Sequence, residues 1–455
     1  MRVSHGVSAV FDDSNLVSCA GLAPVLVLAE RAGLGGLVAN KLTLRGEGAA
    51  NAGLKVPALV AGMVAGADCI EGMDLLRYGG MGRLVGGMRA PSTLGTFLRR
   101  FSFGHVRQLD AVAAVFLAGL AAHTPLLPGA GQVAYLDIDD TIGHTYGYAK
   151  QGAGFGYSGV KGLNALIATV STPLAAPVIT GTRLRKGSTN SARGAARLVA
   201  DALTTARAAG ATGLVITRAD SAFYTHDVIA AIGRGGARFS ITARMNPAVT
   251  RVIGGIDQTA WTPIHYPNAV WDEDEQRWIS DAEVAEISFT AFTSRRRTEQ
   301  ITARLIVRRV KRLNPAAGQG ELFAAYRYHA LFTDSPLPML DAEAAHRGHA
   351  IVEQVIADLK DSALAHLPSG KFTANAAWLV LAAIAFNLTR AAGTLASAFH
   401  ARARTATIRA QLISVSARLA RSARRLIMHL PRDWPWEHAW RQLFDRSLHP
   451  PPEPA

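Results

Sequence analysis

The sequence predicts an α/β protein whose core is a mixed β-sheet with the element order β-β-β-α-β-α-β. Apolar runs of strand length, some followed by acidic residues or turns, fill most of residues 126–245. Residues 1–125 instead contain short helical patterns separated by glycines, and residues 246–335 contain tryptophans and further strand-like runs. Because 49% of the 455 residues are hydrophobic and 18% are charged, the composition is typical of a globular protein.

The N-terminal region, residues 1–125, is predicted to be a helical DNA-binding region. Its helical patterns include residues 23–32, 56–65 and 109–122. A further helix is expected to begin at Ala90-Pro91-Ser92-Thr93, with Ser92 or Thr93 as its cap and Arg99 and Arg100 on its surface. Basic residues on a small helical unit are suited to contact DNA, although a plain packing role explains the pattern about equally well.

The predicted core strands and helices follow in a distinctive order. The expected strands are residues 133–138, 163–170, 176–184, 213–217 and 237–243, and the expected helices run from a cap at Ser191 to about 209 and from 226 to 232. Three strands precede the first helix, whereas a doubly wound fold alternates from the start. The order therefore matches an RNase H-like core.

The remainder of the chain is predicted to complete this core. Residues 246–335 are expected to be a β-rich insertion, with strands at 285–292, 300–310 and 322–332. Residues 336–395 are expected to return to the core with a helix over 343–364, and residues 396–455 to form a basic helical tail. The longest clean apolar run, Ala376–Phe386, is shorter than the about 20 residues needed to cross a bilayer, so no membrane segment and a cytoplasmic location are expected.

The charge of the chain indicates a polyanionic partner. The formal net charge is +14 and the isoelectric point is about 10.2, which favours nucleic acid, although a basic enzyme with another substrate is an alternative. Arginines of the tail are expected to bind the DNA backbone without sequence preference. These are Arg418, Arg421, Arg424 and Arg425.

The first candidate catalytic acid ends the first predicted strand, in Asp137-Ile138-Asp139-Asp140-Thr141. Strand alternation places Asp137 and Asp139 on one face, where two carboxylates repel each other unless a cation lies between or beside them. This arrangement predicts a metal site. A solvated acidic turn at the end of a strand is the structural alternative.

Two further acids complete the candidate set. Asp220 ends the fourth predicted strand, which lies beside the first in an RNase H-like sheet, although capping of the next helix is an everyday role for aspartate. Glu353 borders the apolar stripe of the predicted helix, and His346, His349 and Lys360 share its polar stripe. A solvated helix face explains that pattern equally well.

Together the three acids suit phosphodiester chemistry. Carboxylates are the oxygen ligands that hard cations require, and two Mg²⁺ ions about 4 Å apart activate a nucleophilic oxygen and neutralise a leaving oxygen. We therefore expect Asp139, Asp220 and Glu353 to hold Mg²⁺ or Mn²⁺, in two sites, and Lys360 to hold a DNA phosphate.

These segments resemble DDE transposases of bacterial insertion sequences over nearly the whole chain. Leu136 to Thr141 looks like the first-acid strand, Arg218 to Phe223 like the second-acid segment, and Glu353 with Lys360 like the catalytic-Glu helix. Ala90 to Leu98 and Arg432 to Trp436 are similar to the terminal regions of that group. His346 and His349 stand where the group has Tyr and Arg, and Thr141 favours Asp139 over Asp137 or Asp140 as the first acid.

The resemblance implies a protein that binds inverted repeats at the ends of an element and cuts there. It then joins the freed 3′ ends to target DNA in a cut-and-paste reaction, as a homodimer or larger assembly. Its expected location is the cytoplasm, in association with the nucleoid.

Two rival functions remain at this stage. The segment Asp137-Ile138-Asp139-Asp140-Thr141 also matches the motif of haloacid-dehalogenase-like phosphatases, with Asp137 as nucleophile and Asp139 as acid and base. Such a phosphatase should alternate strands and helices after the motif, which this chain does not. The other rival is a catalytically inactive relative of a transposase that binds DNA only.

Overall fold

A computed structural model describes residues 6–145, 150–156, 159–272, 276–311, 326–423 and 425–450, without the side chains at 267–270, 272 and 277. Internal contacts divide the chain into two units. The first consists of residues 1–126, 143–153 and 357–455, and the second of residues 127–142 and 154–356. The three acids predicted to be catalytic all lie in the second unit.

The first unit is mainly helical. Its helices are α1 (Leu22–Arg31), α2 (Leu34–Lys41), α3 (Ala52–Ala65), α4 (Met81–Leu84), α5 (Pro91–Leu98), α6 (Phe103–His123), α12 (Phe372–Ala396), α13 (Thr405–Ile408) and α14 (Glu437–Leu448). Helix α12 packs against α3, α6 and α14, and every residue from Ala374 to Gly393 is buried. The core of this unit therefore forms around α12.

Two helices of this unit are long and apolar enough to cross a membrane by length and composition alone. They are α6 and α12, and the bent pair α1 and α2 would add a third. The expectation from sequence missed them, because it counted only the uninterrupted apolar run. Residues of the chain itself bury 94% of the apolar window of α12, but only 28% of that of α6. Buried Arg390 in α12 donates to the carbonyl oxygens of Ala401 and Ala403, so the polar side chain is satisfied within the unit.

The start and end of α5 differ from expectation. Neither Ser92 nor Thr93 caps this helix: the N-cap is Ala90, without a side-chain hydrogen bond, and Pro91 occupies the first turn. Proline is favoured there because its fixed φ suits the helix and its missing N–H would be unpaired anyway. Arg99 is the C-cap and Arg100 follows it, so both exposed arginines lie just past the helix rather than on it.

The tail is not wholly helical, which corrects the prediction. Strands β12 (Ala417–Ser422) and β13 (Arg425–His429) form an antiparallel hairpin, and the short strand β1 (Leu16–Val17) pairs with β12. Arg418, Arg421 and Arg425 therefore lie on strands, and Arg424 lies outside the described residues. Strand β12 forms because it pairs with β13, the next strand of the hairpin, and with β1, near the other end of the chain. The sequence pattern of the tail alone does not contain this pairing.

The second unit is built on one mixed sheet of ten strands. The strands are β2 (Val133–His144), β3 (Gly154–Phe155), β4 (Lys161–Thr172), β5 (Ala175–Lys186), β6 (Leu214–Ala219), β7 (Arg238–Thr242), β8 (Thr262–Asp272), β9 (Arg277–Ala291), β10 (Ile301–Lys311) and β11 (Tyr326–Thr333). Its helices are α7 (Ala195–Ala208), α8 (His226–Arg234), α9 (Pro247–Gly254), α10 (Met339–Arg347) and α11 (Ile351–Lys360).

The strands along the sheet run in the order β3-β4-β2-β6-β7-β11-β10-β9-β8, and β5 pairs with β4. Strand β2 is parallel to β6, and β6 is parallel to β7. Apart from the two-residue β3, the chain order from β2 to β7 is the predicted β-β-β-α-β-α-β. The strand patterns thus predicted this part of the fold, although the helix after β5 starts at Ala195, after an N-cap at Gly194 and not Ser191.

The β-rich region after β7 extends this same sheet. Strand β11 pairs antiparallel with β7, and β10, β9 and β8 follow as successive antiparallel neighbours. The predicted strand content is confirmed here. The predicted strand start at residues 322–325 lies outside the described residues.

The predicted single helix over 343–364 is two helices instead. Helix α10 ends at Arg347, a tight turn occupies Gly348–Ala350, and α11 begins at Ile351 and ends at Lys360. The backbone stays right-handed through the turn, with φ of −58° at Arg347 and −63° at Ile351. The helical periodicity therefore continues across the turn, which explains why the sequence predicted one element.

Candidate active site

The parallel pairing of β2 with β6 brings two of the predicted acids together. Asp137 is in register with Arg218 and Ile138 with Ala219, so the next pair in the same register is Asp139 and Asp220. Both acids therefore follow the last residues that β2 and β6 pair with each other, as predicted. The predicted end of the first strand at residue 138 is wrong, because β2 continues to His144 while β6 ends at Ala219. This edge of a parallel sheet is where α/β proteins place their ligands.

Asp139 is the only one of the three neighbouring acids of β2 that forms no ion pair with an arginine or lysine among the described residues. Both oxygens of Asp137 accept hydrogen bonds from Arg218, from Nε and Nη2 at 2.7 Å each. Arg185 Nη2 lies 2.7 Å from Oδ2 of Asp140, which also accepts from Asn164. Because Asp137 and Asp140 are neutralised by arginines, Asp139 is the acid left to bind another cation.

The electrostatics of Asp139 agree with this assignment. The pKa of Asp139 is raised to about 6, chiefly by burial and also by the negative charges of Asp220 and Asp140. The backbone N–H of Asp140 and the nearby His349 oppose the increase. In this environment the ionised carboxylate costs free energy relative to water, and the positive charge of a bound cation would offset that cost.

Asp220 has two roles that are compatible. Its carboxylate accepts a hydrogen bond from the backbone N–H of Ala222 at 2.9 Å and caps the turn at Ser221–Phe223. Asp220 therefore has the capping role that was the structural alternative to a catalytic role. Partial burial of the carboxyl group nevertheless raises its pKa, against the effects of that N–H and of His349. The cap engages Oδ1, so it does not prevent Oδ2 from binding a cation.

Glu353 lies in the first turn of α11 and is exposed. The described part of the chain contains no group of three or more His, Cys, Asp or Glu side chains arranged to hold a metal ion. The structure thus places Asp139 and Asp220 side by side but does not gather Glu353 with them around one point. The donor chemistry of the two aspartates fits a hard cation, with carboxylate oxygens whose pKa values are raised by burial and by neighbouring charge.

Both predicted histidines pack against the sheet. His346 has Nδ1 3.0 Å from the hydroxyl of Ser240 and Nε2 3.0 Å from that of Thr242, both on β7. Burial, reinforced by His349 and Arg218, lowers the pKa of His346 to about 3. His346 is therefore neutral and supports the fold. It does not supply a positive charge to DNA.

His349 lies closer to the acids. Its Nδ1 is 3.0 Å from Oδ1 of Asp137, and its charge lowers the pKa of both Asp139 and Asp220. Of the other predicted supporting residues, Thr141 is partly buried in β2, and Lys360 is the exposed last residue of α11.

The sequence analysis missed the two arginines that neutralise Asp137 and Asp140. Arg218 stands two residues before Asp220, just as Asp137 stands two residues before Asp139. When β2 and β6 pair so that Asp139 and Asp220 are neighbours, Arg218 is therefore placed beside Asp137. Arg185 lies near the end of β5 and also donates to the carbonyl oxygens of three residues in the turn that follows: Asn190, Ser191 and Arg193. No local pattern signals this contact.

The neutralisation of Asp137 argues against the phosphatase interpretation. A nucleophilic aspartate must reach a phosphate group, but Asp137 is 0% exposed and both its oxygens are occupied by Arg218 and His349. The sheet also joins the three long strands β2, β4 and β5, with the two-residue β3, before the first helix, contrary to the alternation expected of that class.

Two partly buried carboxylates on adjacent central strands of a large mixed sheet are an arrangement suited to binding a divalent cation. A sequence model of the family described as Transposase DDE domain group 1 matches residues 2–449. The chain belongs to this family, and its function is that of a transposase, an enzyme class that acts on DNA and generally uses divalent metal ions. No curated protein matches the chain significantly.

Proposed function

We propose that this transposase cuts DNA and transfers its strands with Asp139, Asp220 and Glu353 as catalytic residues. The observation that carries the proposal is the parallel register of β2 and β6, in which Asp139 and Asp220 directly follow the last paired residues. Numbered along the chain without β3, the five core strands lie in the order 3-2-1-4-5, from β5 through β4, β2 and β6 to β7. This order supports an RNase H-like core.

Asp139 and Asp220 would hold Mg²⁺ or Mn²⁺, and Glu353 would complete the ligand set when DNA is bound. Metal ions there would activate the attacking oxygen and neutralise the leaving oxygen of the scissile phosphodiester. The protein's own contribution is to keep two partly buried carboxylates close together. The raised pKa of Asp139 reflects burial first and the charge of Asp220 in addition. Residues Asp137 and Thr141 remain supporting residues in this proposal.

The DNA substrate would be the inverted repeats at the ends of an insertion sequence, followed by target DNA in a cut-and-paste reaction. Exposed arginines would contact the DNA backbone. They are Arg99 and Arg100 after α5, and Arg418, Arg421 and Arg425 on the tail hairpin. Arg424, outside the described residues, is included on its position in the sequence. Lys360 would hold a phosphate near the active site. We propose a homodimer or larger assembly on DNA, and a cytoplasmic, nucleoid-associated location.

The test uses a supercoiled plasmid that carries the gene of this chain together with its flanking DNA. We expect Asp139→Asn, Asp220→Asn and Glu353→Gln each to abolish cleavage in Mg²⁺ or Mn²⁺ while DNA binding persists. Asp227→Asn is the matched control, because Asp227 lies in the same unit and its side chain is 75% exposed. Unchanged cleavage by any of the three variants would contradict the role assigned to that residue, and loss of DNA binding by all three would favour a folding defect instead.

A catalytically inactive DNA-binding relative is the second candidate function. It predicts plasmid binding by the unmodified chain with no cleavage in either metal. The presence of the two adjacent aspartates favours the active enzyme.

A further inference from the structure

A buried ion pair lies directly beneath the two proposed catalytic aspartates. Asp137 is 0% exposed and Arg218 is 3% exposed, and they are register partners on β2 and β6. Side chains on a strand alternate, so Asp137 shares a face with Asp139, and Arg218 shares a face with Asp220. The ring of Tyr135, two residues earlier on β2, lies 4.2 Å from the Arg218 guanidinium. The ion pair thus lies two residues before the aspartates along the chain, on the same face of the sheet.

The same ion pair also holds the segment that leads into α11. Arg218 Nη1 donates to the carbonyl oxygen of Ala345, and His349 Nδ1 contacts Asp137 Oδ1. His349, in the turn before α11, precedes Glu353 by four residues of right-handed backbone, which is about one helical turn. Asp137 and Arg218 therefore join the two strands next to Asp139 and Asp220 to the segment that precedes Glu353.

Gly348 allows this close approach. A Cβ atom at this position would lie 2.7 Å from Arg218 Nη1, well inside van der Waals contact. The guanidinium cannot swing aside freely, because Asp137 holds its Nε and Nη2 and Ala345 accepts from its Nη1. The turn at Gly348–Ala350 can thus contact the ion pair only with a glycine at its first position.

We propose that Arg218, Asp137 and His349 form a positioning network that fixes the relative placement of Asp139, Asp220 and Glu353 and thereby sets the affinity for the divalent metal. The inference rests on the proposed function, in that the three acids are taken as the metal ligands. Each network residue precedes one acid by two or four positions along the chain: Asp137 precedes Asp139, Arg218 precedes Asp220, and His349 precedes Glu353. Since Arg218 neutralises Asp137, the network orients the acids without competing for the metal.

The first test measures Mn²⁺ binding to the protein alone, by the electron paramagnetic resonance signal of free Mn²⁺. His349→Ala removes the contact between Asp137 and the turn that precedes α11 but leaves the Arg218–Asp137 pair intact. We expect its Mn²⁺ affinity to fall by about 10-fold or more, the usual effect of losing an orienting partner of metal ligands. The circular dichroism spectrum and the binding of a random-sequence duplex should remain unchanged.

The second variant perturbs Arg218 through a Cβ atom added at Gly348. Gly348→Ala should displace the Arg218 guanidinium and weaken Mn²⁺ binding to a similar extent. Gly233→Ala is the matched control, since a Cβ there meets nothing within 4 Å, and it should bind Mn²⁺ as the unmodified chain does. In the combined His349→Ala and Gly348→Ala variant, the loss should be smaller than the sum of the single losses, because both act on one tie.

A conservative variant separates orientation from packing. His349→Asn retains an amide N–H that can donate to Asp137, so it should recover part of the affinity that His349→Ala loses. Equal losses in the Ala and Asn variants, or an affinity of His349→Ala equal to that of the unmodified chain, would overturn the positioning network while leaving the proposed function in place. Mn²⁺ binding that is insensitive to Asp139→Asn would instead overturn the metal site itself, and the network with it.

Discussion

At the scale of single residues, three consecutive acidic candidates of β2 have three different environments. Asp137 is buried against Arg218, and Asp140 contacts Arg185. Asp139 lies near Asp220, and its pKa is raised. Strand alternation had placed Asp137 and Asp139 on one face and predicted a cation between or beside them. For Asp137 that cation is a guanidinium of the chain itself, which is why it is a poor candidate for the metal or for a nucleophile.

The buried pair gives a prediction about stability. Asp137→Ala leaves the Arg218 charge buried without its partner, so we expect the free energy of unfolding to fall by about 3–5 kcal/mol. Asp227→Ala, at an exposed carboxylate, should change it by about 0.5 kcal/mol or less. Urea denaturation followed by circular dichroism measures both. Equal effects of the two variants would show that the pair does not stabilise the fold.

Asp139 gives a prediction about pH. Its folded pKa of about 6 lies above the ordinary value of 3.8, so ionisation is less favourable in the folded chain than in the unfolded chain. Without metal, the free energy of unfolding should therefore decrease as pH rises from about 4 to about 6. Asp139→Asn removes this loss, and at pH 7 it should be more stable than the unmodified chain by about 1–3 kcal/mol.

The measurement is urea denaturation in a chelator at pH 4 and at pH 7. The difference between the variant and the unmodified chain should be larger at pH 7. A difference that is the same at both values would mean that the pKa of Asp139 is not raised. Asp227→Asn serves as the control for the loss of one exposed carboxylate.

At the scale of elements, the basic tail shows how pairing decides secondary structure. Arg418 and Arg421 were expected on a helix, but they lie on β12, which pairs with β1 from the other end of the chain. Arg418 is 67% exposed and contacts Asp13, while Arg421 and Arg425 are exposed. The arginines are thus displayed on a hairpin, a geometry in which a two-stranded ribbon can follow a DNA backbone.

This hairpin gives a prediction about salt dependence. If Arg421 or Arg425 contacts a phosphate, its replacement by Ala should reduce the slope of log affinity against log salt concentration by about 0.9, because one fewer counterion is released. Arg441→Ala is the control, since that arginine is paired with Glu437 on α14. Fluorescence anisotropy with a random-sequence duplex measures the slope. An unchanged slope in both hairpin variants would exclude the hairpin from the DNA contact.

At the scale of the whole molecule, the chain forms two units, and the proposed metal site belongs to only one of them. Binding of a metal to the folded state alone stabilises that state by an amount set by the ratio of metal concentration to dissociation constant. At 100 times the dissociation constant the gain is about 2.7 kcal/mol.

We therefore expect Mn²⁺ to raise the unfolding temperature of the unmodified chain, and a chelator to reverse the effect. The increase should be absent in Asp139→Asn and should persist in Asp227→Asn. Differential scanning calorimetry at several Mn²⁺ concentrations measures this dependence. An increase of the same size in Asp139→Asn would place the stabilising metal at another site.

Much of the fold followed from local patterns. The strands from β2 to β7 except the short β3, and their order with α7 and α8, were predicted, because apolar runs and alternation are properties of short segments. Asp220 directly follows β6 as expected, whereas β2 extends beyond Asp139 to His144. The family membership agrees with the resemblance carried by those segments. The cap of α5, the division of the helix near Gly348, and the strands of the tail were predicted wrongly.

By itself, then, the sequence determined the strand order of the core, the identity of Asp220 and Glu353 as candidates, and a choice among Asp137, Asp139 and Asp140. Only the tertiary structure decided the environments of those three aspartates. Arg218 is 81 positions from Asp137, and Arg185 is 45 positions from Asp140. Ion pairs of that separation depend on which strands become neighbours, and no local pattern of residues contains that information.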